Sequence, residues 1–239
     1  PITFTNSDYR FIVCEQLQQL QVDLGPVFIE PEAKNTAGSI LAASIYLANK
    51  DKDAILLVAP SDHVIPDKKA FHKKIAVGLS YIQKGKIVTF GVKPTHPETG
   101  YGYLELSEEK FDQYGSSDVR SFVEKPKLVN AEKMFESDNF LWNAGIFLFK
   151  AKDMIASFRA YSPKTLKLVS RAVELASQDL DFFRLSPKPW SKLESISIDY
   201  AIMEKSKNLL AVPYLSKWSD LGGWDAVWSE STKDGSGNA

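Results

Sequence analysis

The sequence predicts an α/β fold, with a mixed, mainly parallel central sheet and helices on both faces. Strand-like and helix-like segments alternate from Ile2 to Gly91, which implies right-handed crossovers and a parallel sheet. The continuous apolar run Ala54-Ile55-Leu56-Leu57-Val58-Ala59 has the character of a central strand covered on both faces. After Gly91 the strands are spaced by longer connections, so a mixed sheet follows the parallel one.

The elements follow in order. Ile2–Thr5 reads as a short strand, and Asn6, Ser7 and Asp8 supply cap residues for a helix running to about Gln21. Val27–Glu30 is a second strand. Asn35-Thr36 caps a helix from Ala37 to about Asn49, whose Ile40, Leu41, Ser44, Ile45 and Leu47 suit one buried face. The 54–59 run comes next, then a helix over Asp67–Lys84 and a strand over Ile87–Gly91. Tyr101–Leu106, Ser121–Glu124 and Gly145–Lys150 read as strands, 151–161 and 163–176 as helices, and Leu209–Val212 as a late strand. A nucleotide-binding half (about 1–92) and a mixed-sheet half (about 93–232) make up one domain, and the polar tail 233–239 reads as a linker or frayed end.

Composition narrows the class. Of 239 residues, 44% are hydrophobic and 25% charged, the balance of a globular chain. The 29 Lys and Arg against 30 Asp and Glu give a net charge of -1, which argues against a nucleic-acid partner. No apolar run reaches the ~20 residues of a membrane span, and Pro1-Ile2-Thr3-Phe4 does not open a signal peptide. The lone Cys14 excludes a disulfide framework and fits a cytoplasmic chain. Self-association into a homo-oligomer is compatible with all of this.

Several short motifs bear groups suited to chemistry. Ligands of open α/β sheets bind beyond the strand C-termini, commonly at a Gly-rich turn. Here Gly100-Tyr101-Gly102 is followed by Glu105 where a third glycine belongs, and no GxxxxGK[ST] occurs. Pro60-Ser61-Asp62-His63 follows the apolar run, so Asp62 is a carboxylate at the sheet edge. Mg²⁺ beside phosphates takes one or two such groups, although an Asp capping a turn fits the same letters. His63, His72 and His96 lack zinc spacing, and only His63 stands near the candidate site. Glu124-Lys125 ends a strand before Pro126; the Glu suits sugar hydroxyls and the Lys a phosphate, while a solvated strand end fits equally. Asn143 precedes small residues that admit a ligand. Asp220 offers a second carboxylate in the tight turn Trp218-Ser219-Asp220-Leu221-Gly222-Gly223-Trp224, whose two tryptophans packing alone could also explain. Asp51-Lys52-Asp53 and Asp179-Leu180-Asp181 match the metal motif of glycosyltransferases in letters, but the first precedes the apolar run and the second sits in a polar connection.

Taken together and in order, these motifs resemble the nucleotidyltransferase domain of the mannose-1-phosphate guanylyltransferase family, in the bacterial form often fused to a cupin domain with phosphomannose isomerase activity. The matching stretches are Glu30-Pro31-Glu32-Ala33-Lys34-Asn35-Thr36-Ala37, Val58–His63, Thr99–Tyr103, Phe122–Pro126, Leu141–Gly145, Ser197–Lys205 and Trp218–Trp224. Lys34 stands where the family usually has Arg. The resemblance implies a Rossmann-like nucleotidyltransferase fold over 1–232 that takes GTP and mannose 1-phosphate as partners, with Mg²⁺ as cofactor. It further implies that Asp62 and Asp220 grip the metal and that Lys125 meets the sugar phosphate. Gly102, Glu124, Asn143 and Asp199 would surround the mannose; Glu30, Asn35, Thr36 and Ala37 would lie along the guanosine. The family's opening strand and Gly-rich turn would fall before Pro1 and its cupin domain after Ala239, so residues 1–239 alone are expected to turn over GTP poorly. The alternatives are part of a bifunctional protein that is also a mannose-6-phosphate isomerase through that C-terminal domain, and a non-catalytic sugar-nucleotide-binding fragment.

Overall fold

The computed structural model describes residues 1–107, 115–235 and 237–238. In chain order the elements begin with β1 (Thr3–Thr5), α1 (Arg10–Gln19), β2 (Val27–Ile29), α2 (Thr36–Ala48) and β3 (Ile55–Val58). Next come α3 (Lys68–Ile82), β4 (Ile87–Val92), β5 (Gly102–Leu106), β6 (Ser117–Glu124), α4 (Leu128–Glu136) and β7 (Phe140–Lys150). Then follow α5 (Ala151–Tyr161), α6 (Pro163–Glu174), β8 (Ser177–Asp179), β9 (Phe182–Arg184), α7 (Pro187–Trp190), α8 (Ile198–Ala201), β10 (Leu209–Pro213) and α9 (Trp224–Glu230). The chain divides into two units, Pro1–Leu56 with Lys150–Ser206, and Leu57–Phe149 with Lys207–Ala239.

The first unit is built on a four-stranded sheet ordered β1-β2-β9-β8. β1, β2 and β9 run parallel and β8 returns antiparallel to β9. Phe28 anchors its core, with ring centroids 4.8 Å from Phe4, 5.1 Å from Tyr46 and 4.7 Å from Phe183. Helix α2 buries Ala37, Gly38, Ile40, Leu41, Ala42, Ala43 and Ser44. Its small residues permit close approach: a Cβ on Gly38 would lie 3.1 Å from the buried Trp190 ring. The buried Ser44 hydroxyl donates to the Ile40 carbonyl at 2.8 Å and so carries no unmet polar group into the core. Helix α1 departs from expectation. Asn6 Oδ1 accepts from the Asp8 and Tyr9 amides in a turn of its own, and the helix starts at Arg10 without a side-chain cap. No α1 residue is buried, and Cys14 only partly covers Val27, Ile29 and Phe182.

The second unit carries a six-stranded sheet ordered β3-β7-β4-β10-β6-β5, with β7 also pairing β5. The early residues of β7 bond to β5 and its later ones to β4, with Trp142 opposite both Tyr103 and Val92. The sheet is mixed as expected, but less parallel. β4 and β10 run parallel, while β4–β7, β10–β6, β6–β5 and β5–β7 are antiparallel. No crossover helix lies between β5 and β6 among the described residues, and strands joined without one pair antiparallel. Strand β3 also differs from its prediction. It stands at the sheet edge rather than the centre, with Ile55 41% and Leu57 44% exposed and only Leu56 buried. An apolar run shows how greasy a strand is, not how many neighbours it has.

The core of this unit joins Val88 and Phe90 of β4, Ala144, Ile146 and Leu148 of β7, and Leu210 and Val212 of β10. Helix α3, capped by Asp67 Oδ1 on the Ala70 amide at 2.9 Å, lays Phe71 and Ile75 on it. At Gly91 a Cβ would fall 2.6 Å from Leu141 Cδ1 and 2.9 Å from its Cβ. Gly91→Ala is therefore expected to overpack the β4–β7 seam and cost about 1–3 kcal/mol. Urea unfolding reads it, and an unchanged midpoint would show that the seam yields freely.

Candidate functional site

In the second unit two loops meet through backbone. Val64, beyond β3, pairs with Ser219, beyond β10: the Val64 amide donates to the Ser219 carbonyl at 2.8 Å, and the Val64 carbonyl accepts from the Ser219 amide at 3.2 Å. This bridge sets Asp62, two residues before Val64, on a loop adjoining the one that carries Asp220. Trp218 Nε1 donates to His63 Nδ1 at 3.4 Å, with the rings edge-on at 5.4 Å. Burial holds the His63 imidazole below its ordinary pKa, against the pull of Asp62 and Asp220, which suits Nδ1 as an acceptor.

Asp220 is tightly oriented. Its Oδ1 accepts from the Tyr101 hydroxyl at 2.8 Å and from the Gly222 amide at 3.0 Å. Burial above all, with the neighbouring Asp220 carboxylate, pushes the Tyr101 phenol far up, so the phenol stays a donor. The Tyr101 ring lies edge-on to Trp142 at 5.1 Å and to Trp218 at 5.4 Å. Glu98 shapes the preceding turn by accepting from the Gly100 amide at 2.7 Å, the chief cause of its lowered pKa.

The β5–β6 pair supplies a second group of residues. Gly102 faces Glu124 across the ladder, and a Cβ there would fall 2.5 Å from Glu124 Oε2 and 2.9 Å from Phe122 Cζ. Glycine thus makes room for a carboxylate side chain that is only 10% exposed. Lys125 takes a left-handed φ of 49° and donates its amide to the Tyr101 carbonyl at 3.1 Å. Its exposed ammonium stands 4.0 Å from Glu124 Oε1.

Asn143 lies inside β7 rather than ahead of it. The register shifts between Thr89 and Gly91, and Gly145 adopts φ 67° to form the bulge. Asn143 Oδ1 fills that bulge, accepting from Thr89 Oγ1 at 2.7 Å and from the Gly145 amide at 3.2 Å. A Cβ on Gly145 would lie 3.8 Å from His63 and 4.0 Å from Pro60, so the bulge abuts the loop that bears Asp62. Asp62, His63, Asp220 and the Asn143 bulge therefore gather in one place, and Tyr101 joins them to Gly102, Glu124 and Lys125.

The first unit gathers its own set at the start of α2. Glu30 follows β2 and accepts from Ser39 Oγ on the first turn of that helix. Burial raises the Glu30 pKa, with Ser39 opposing. Asn35, at φ 61°, caps the Thr36 amide at 2.9 Å. Thr36 Oγ1 accepts from the Ile198 amide at 2.9 Å, and the Ala37 amide donates to the Ile196 carbonyl at 3.2 Å. These bonds bring Asp199, on α8, beside Asn35 and Thr36. The expected free helix N–H groups are not all present, because Ala37 is buried and its donor is taken by the chain itself. Ala37 serves here as a packing residue. The other acidic pairs are engaged too: Asp53 with Lys152 at 2.7 Å, and Asp179, in the β8–β9 hairpin, with Arg184 at 2.7 Å.

Three polar partners escape a reading of the sequence: Ser39, Thr89 and the Tyr101 hydroxyl. Thr89 alone leaves a signal, as the one polar residue in Ile87-Val88-Thr89-Phe90. Among the described residues no group of three or more His, Cys, Asp or Glu could hold a metal by itself. Two aspartates on paired loops instead fit a hard divalent cation that completes its shell with phosphate and water. No helix among the described residues is long and apolar enough to cross a membrane.

Thr89→Val removes one of the donors to Asn143 Oδ1, a net loss of about 1 kcal/mol. Denaturant unfolding should show that loss, together with faster amide exchange at Gly145. Unaltered exchange would mean that backbone alone holds the bulge.

The nucleotidyl transferase family model matches residues 1–237. A mannose-1-phosphate guanylyltransferase of Sinorhizobium fredii is 42% identical over all of this chain and 46% of its own length. The xanthan biosynthesis protein XanB of Xanthomonas campestris pv. campestris is 40% identical over all of this chain and 50% of its own. The chain thus spans about half the length of these relatives. Among solved structures, a mannose-6-phosphate isomerase from Helicobacter pylori superposes with TM-score 0.80 at 32% identity, covering 91% of this chain and 83% of that one.

Proposed function

The chain belongs to the nucleotidyl transferase family, and from that premise we propose that the whole protein moves a guanylyl group from GTP to mannose 1-phosphate, releasing pyrophosphate and GDP-mannose. The observation that supports this reading is the Val64–Ser219 bridge, which ties the loop of Asp62 to that of Asp220, itself bonded to Tyr101. The guanylyltransferase name of a relative matched over the whole chain supports the choice of substrates.

The nucleophile is a phosphate oxygen of the sugar phosphate, already anionic at neutral pH, so no general base is required. It attacks the α-phosphorus in line with departing pyrophosphate. The protein's work is to align two mutually repelling anions and to neutralise charge at the α-phosphate. Asp62 and Asp220 would hold Mg²⁺, which when bound supplies positive charge to the phosphates. Lys125, on its left-handed turn, brings an ammonium to the sugar phosphate. Glu124 accepts from sugar hydroxyls beside the bare face of Gly102, and Asn143 borders the same group. In the first unit, Glu30 suits the N–H edge of a guanine, with Asn35 and Thr36 flanking it, and Asp199 accepts from a hydroxyl. Neither aspartate acts as a proton carrier in this scheme.

Asp62→Asn or Asp220→Asn in the full-length protein should lower kcat by orders of magnitude while circular dichroism stays native. Each change removes charge stabilisation that matters most in the transition state. A near-normal kcat for Asp220→Asn at saturating Mg²⁺ would refute the metal assignment. Failure of the wild-type protein to form GDP-mannose would favour a binding role instead. Glu124→Gln is expected to raise KM for mannose 1-phosphate about tenfold and to leave KM for GTP nearly unmoved, since one hydrogen bond to a charged group is lost. Equal effects on both substrates would make Glu124 structural.

A further inference from the structure

Tyr101 touches both groups of functional residues in the second unit, yet the proposed chemistry gives it nothing to do. Its phenol donates to Asp220 Oδ1 at 2.8 Å, and its carbonyl accepts from the amide of Lys125 at 3.1 Å. The ring is wedged edge-on between Trp142 and Trp218, and Trp218 is itself tied to His63. The phenol therefore cannot swing away without parting two aromatic contacts. Asp220 is held on one oxygen only: Tyr101 and the Gly222 amide both donate to Oδ1, and no described residue donates to Oδ2. Space beside Oδ2 is kept clear by glycine, since a Cβ on residue 222 would fall 2.7 Å from it.

We propose that Tyr101 is a positioning residue, whose phenol fixes the rotation of the Asp220 carboxylate and so reserves Oδ2 for the cation. This rests on the metal assignment to Asp62 and Asp220 made above. Two effects oppose each other when the phenol is removed. A carboxylate that loses a hydrogen bond becomes more basic, which favours a cation, but it also regains rotational freedom. Groups that orient metal ligands typically contribute about 10–100-fold to metal affinity, so orientation dominates. The backbone carbonyl of the same residue receives the Lys125 amide, so one residue, through its phenol and its main chain, keeps the aspartate and the lysine in a common frame.

The test uses Tyr101→Phe, which retains the ring and its packing. Mn²⁺ serves as the probe, titrated into the full-length protein with GDP-mannose present, and free Mn²⁺ is read by electron paramagnetic resonance. The wild type, Asp220→Asn, Tyr101→Phe and Gly222→Ala are compared. The expected result is a site abolished by Asp220→Asn and weakened about tenfold by Tyr101→Phe, with kcat recovering at high metal. Gly222→Ala leaves the aromatic wedge intact but crowds Oδ2, and should weaken the site as well. A merely structural role would lower the melting temperature of Tyr101→Phe without moving its Mn²⁺ affinity. Affinity lost in Asp220→Asn but unchanged in Tyr101→Phe overturns the positioning role alone. Mn²⁺ binding indifferent to Asp220→Asn overturns the metal assignment, and this inference with it.

Discussion

The pair of backbone hydrogen bonds between Val64 and Ser219 joins segments that lie far apart in sequence, and it uses no side chain to do so. Each partner follows a strand of the same sheet, β3 for one and β10 for the other. Bonds of this kind do not depend on charge. The two aspartate-bearing loops can therefore be fixed before any counter-ion arrives, although two nearby carboxylates repel. The cost of that repulsion falls on the carboxylates, which lie at the exposed or half-buried margin where water screens them. The frame is apolar and backbone-held, and the charge is mounted on it.

Aromatic packing carries the same frame outward. His63, Trp218, Tyr101, Trp142 and His96 form a continuous row of edge-on contacts, each ring touching the next. Such rings have few torsions to freeze, so they hold shape at a small entropic cost. Glycine complements them wherever a carboxylate must pass, at Gly102 beside Glu124 and at Gly222 beside Asp220. Rigid rings and missing side chains together define where the acidic groups stand.

Much of this was legible in the sequence. Asn35 announces its helix because a side-chain oxygen before an apolar periodic stretch can meet a free N–H group of the first turn. Asp62, Glu124 and Lys125 sit in short motifs next to strand ends, and Asp220 in a Trp- and Gly-rich loop, positions that follow from local pattern. The rest depends on contacts between distant residues. The apolar side chains of 54–59 read the same at the edge of a sheet as at its centre, so the run by itself does not place β3. The bulge that takes Asn143 into β7 needs both Gly145 at positive φ and Thr89 on the neighbouring strand, which no local window joins. The same holds for the Tyr101–Asp220 bond, and for Ala37, whose amide is taken by a carbonyl from 196.

The parallel pairing of β4 with β10 has a consequence for the order in which the protein can form. Ile87 lies opposite Leu209 and Gly91 opposite Pro213, while Lys150–Ser206 of the first unit intervenes in the sequence. Pairings that span so much chain raise contact order and slow folding, because loop entropy is lost before the contact compensates. During synthesis β4, β5, β6 and β7 all leave the ribosome before β10, with antiparallel partners available to one another. One side of β4 must wait. Its core residues Val88 and Phe90 gain the neighbours Leu210 and Val212 only when β10 is made. The loop carrying Asp220 follows that strand, so Asp220 reaches the loop of Asp62 only once β10 has taken its place between β4 and β6.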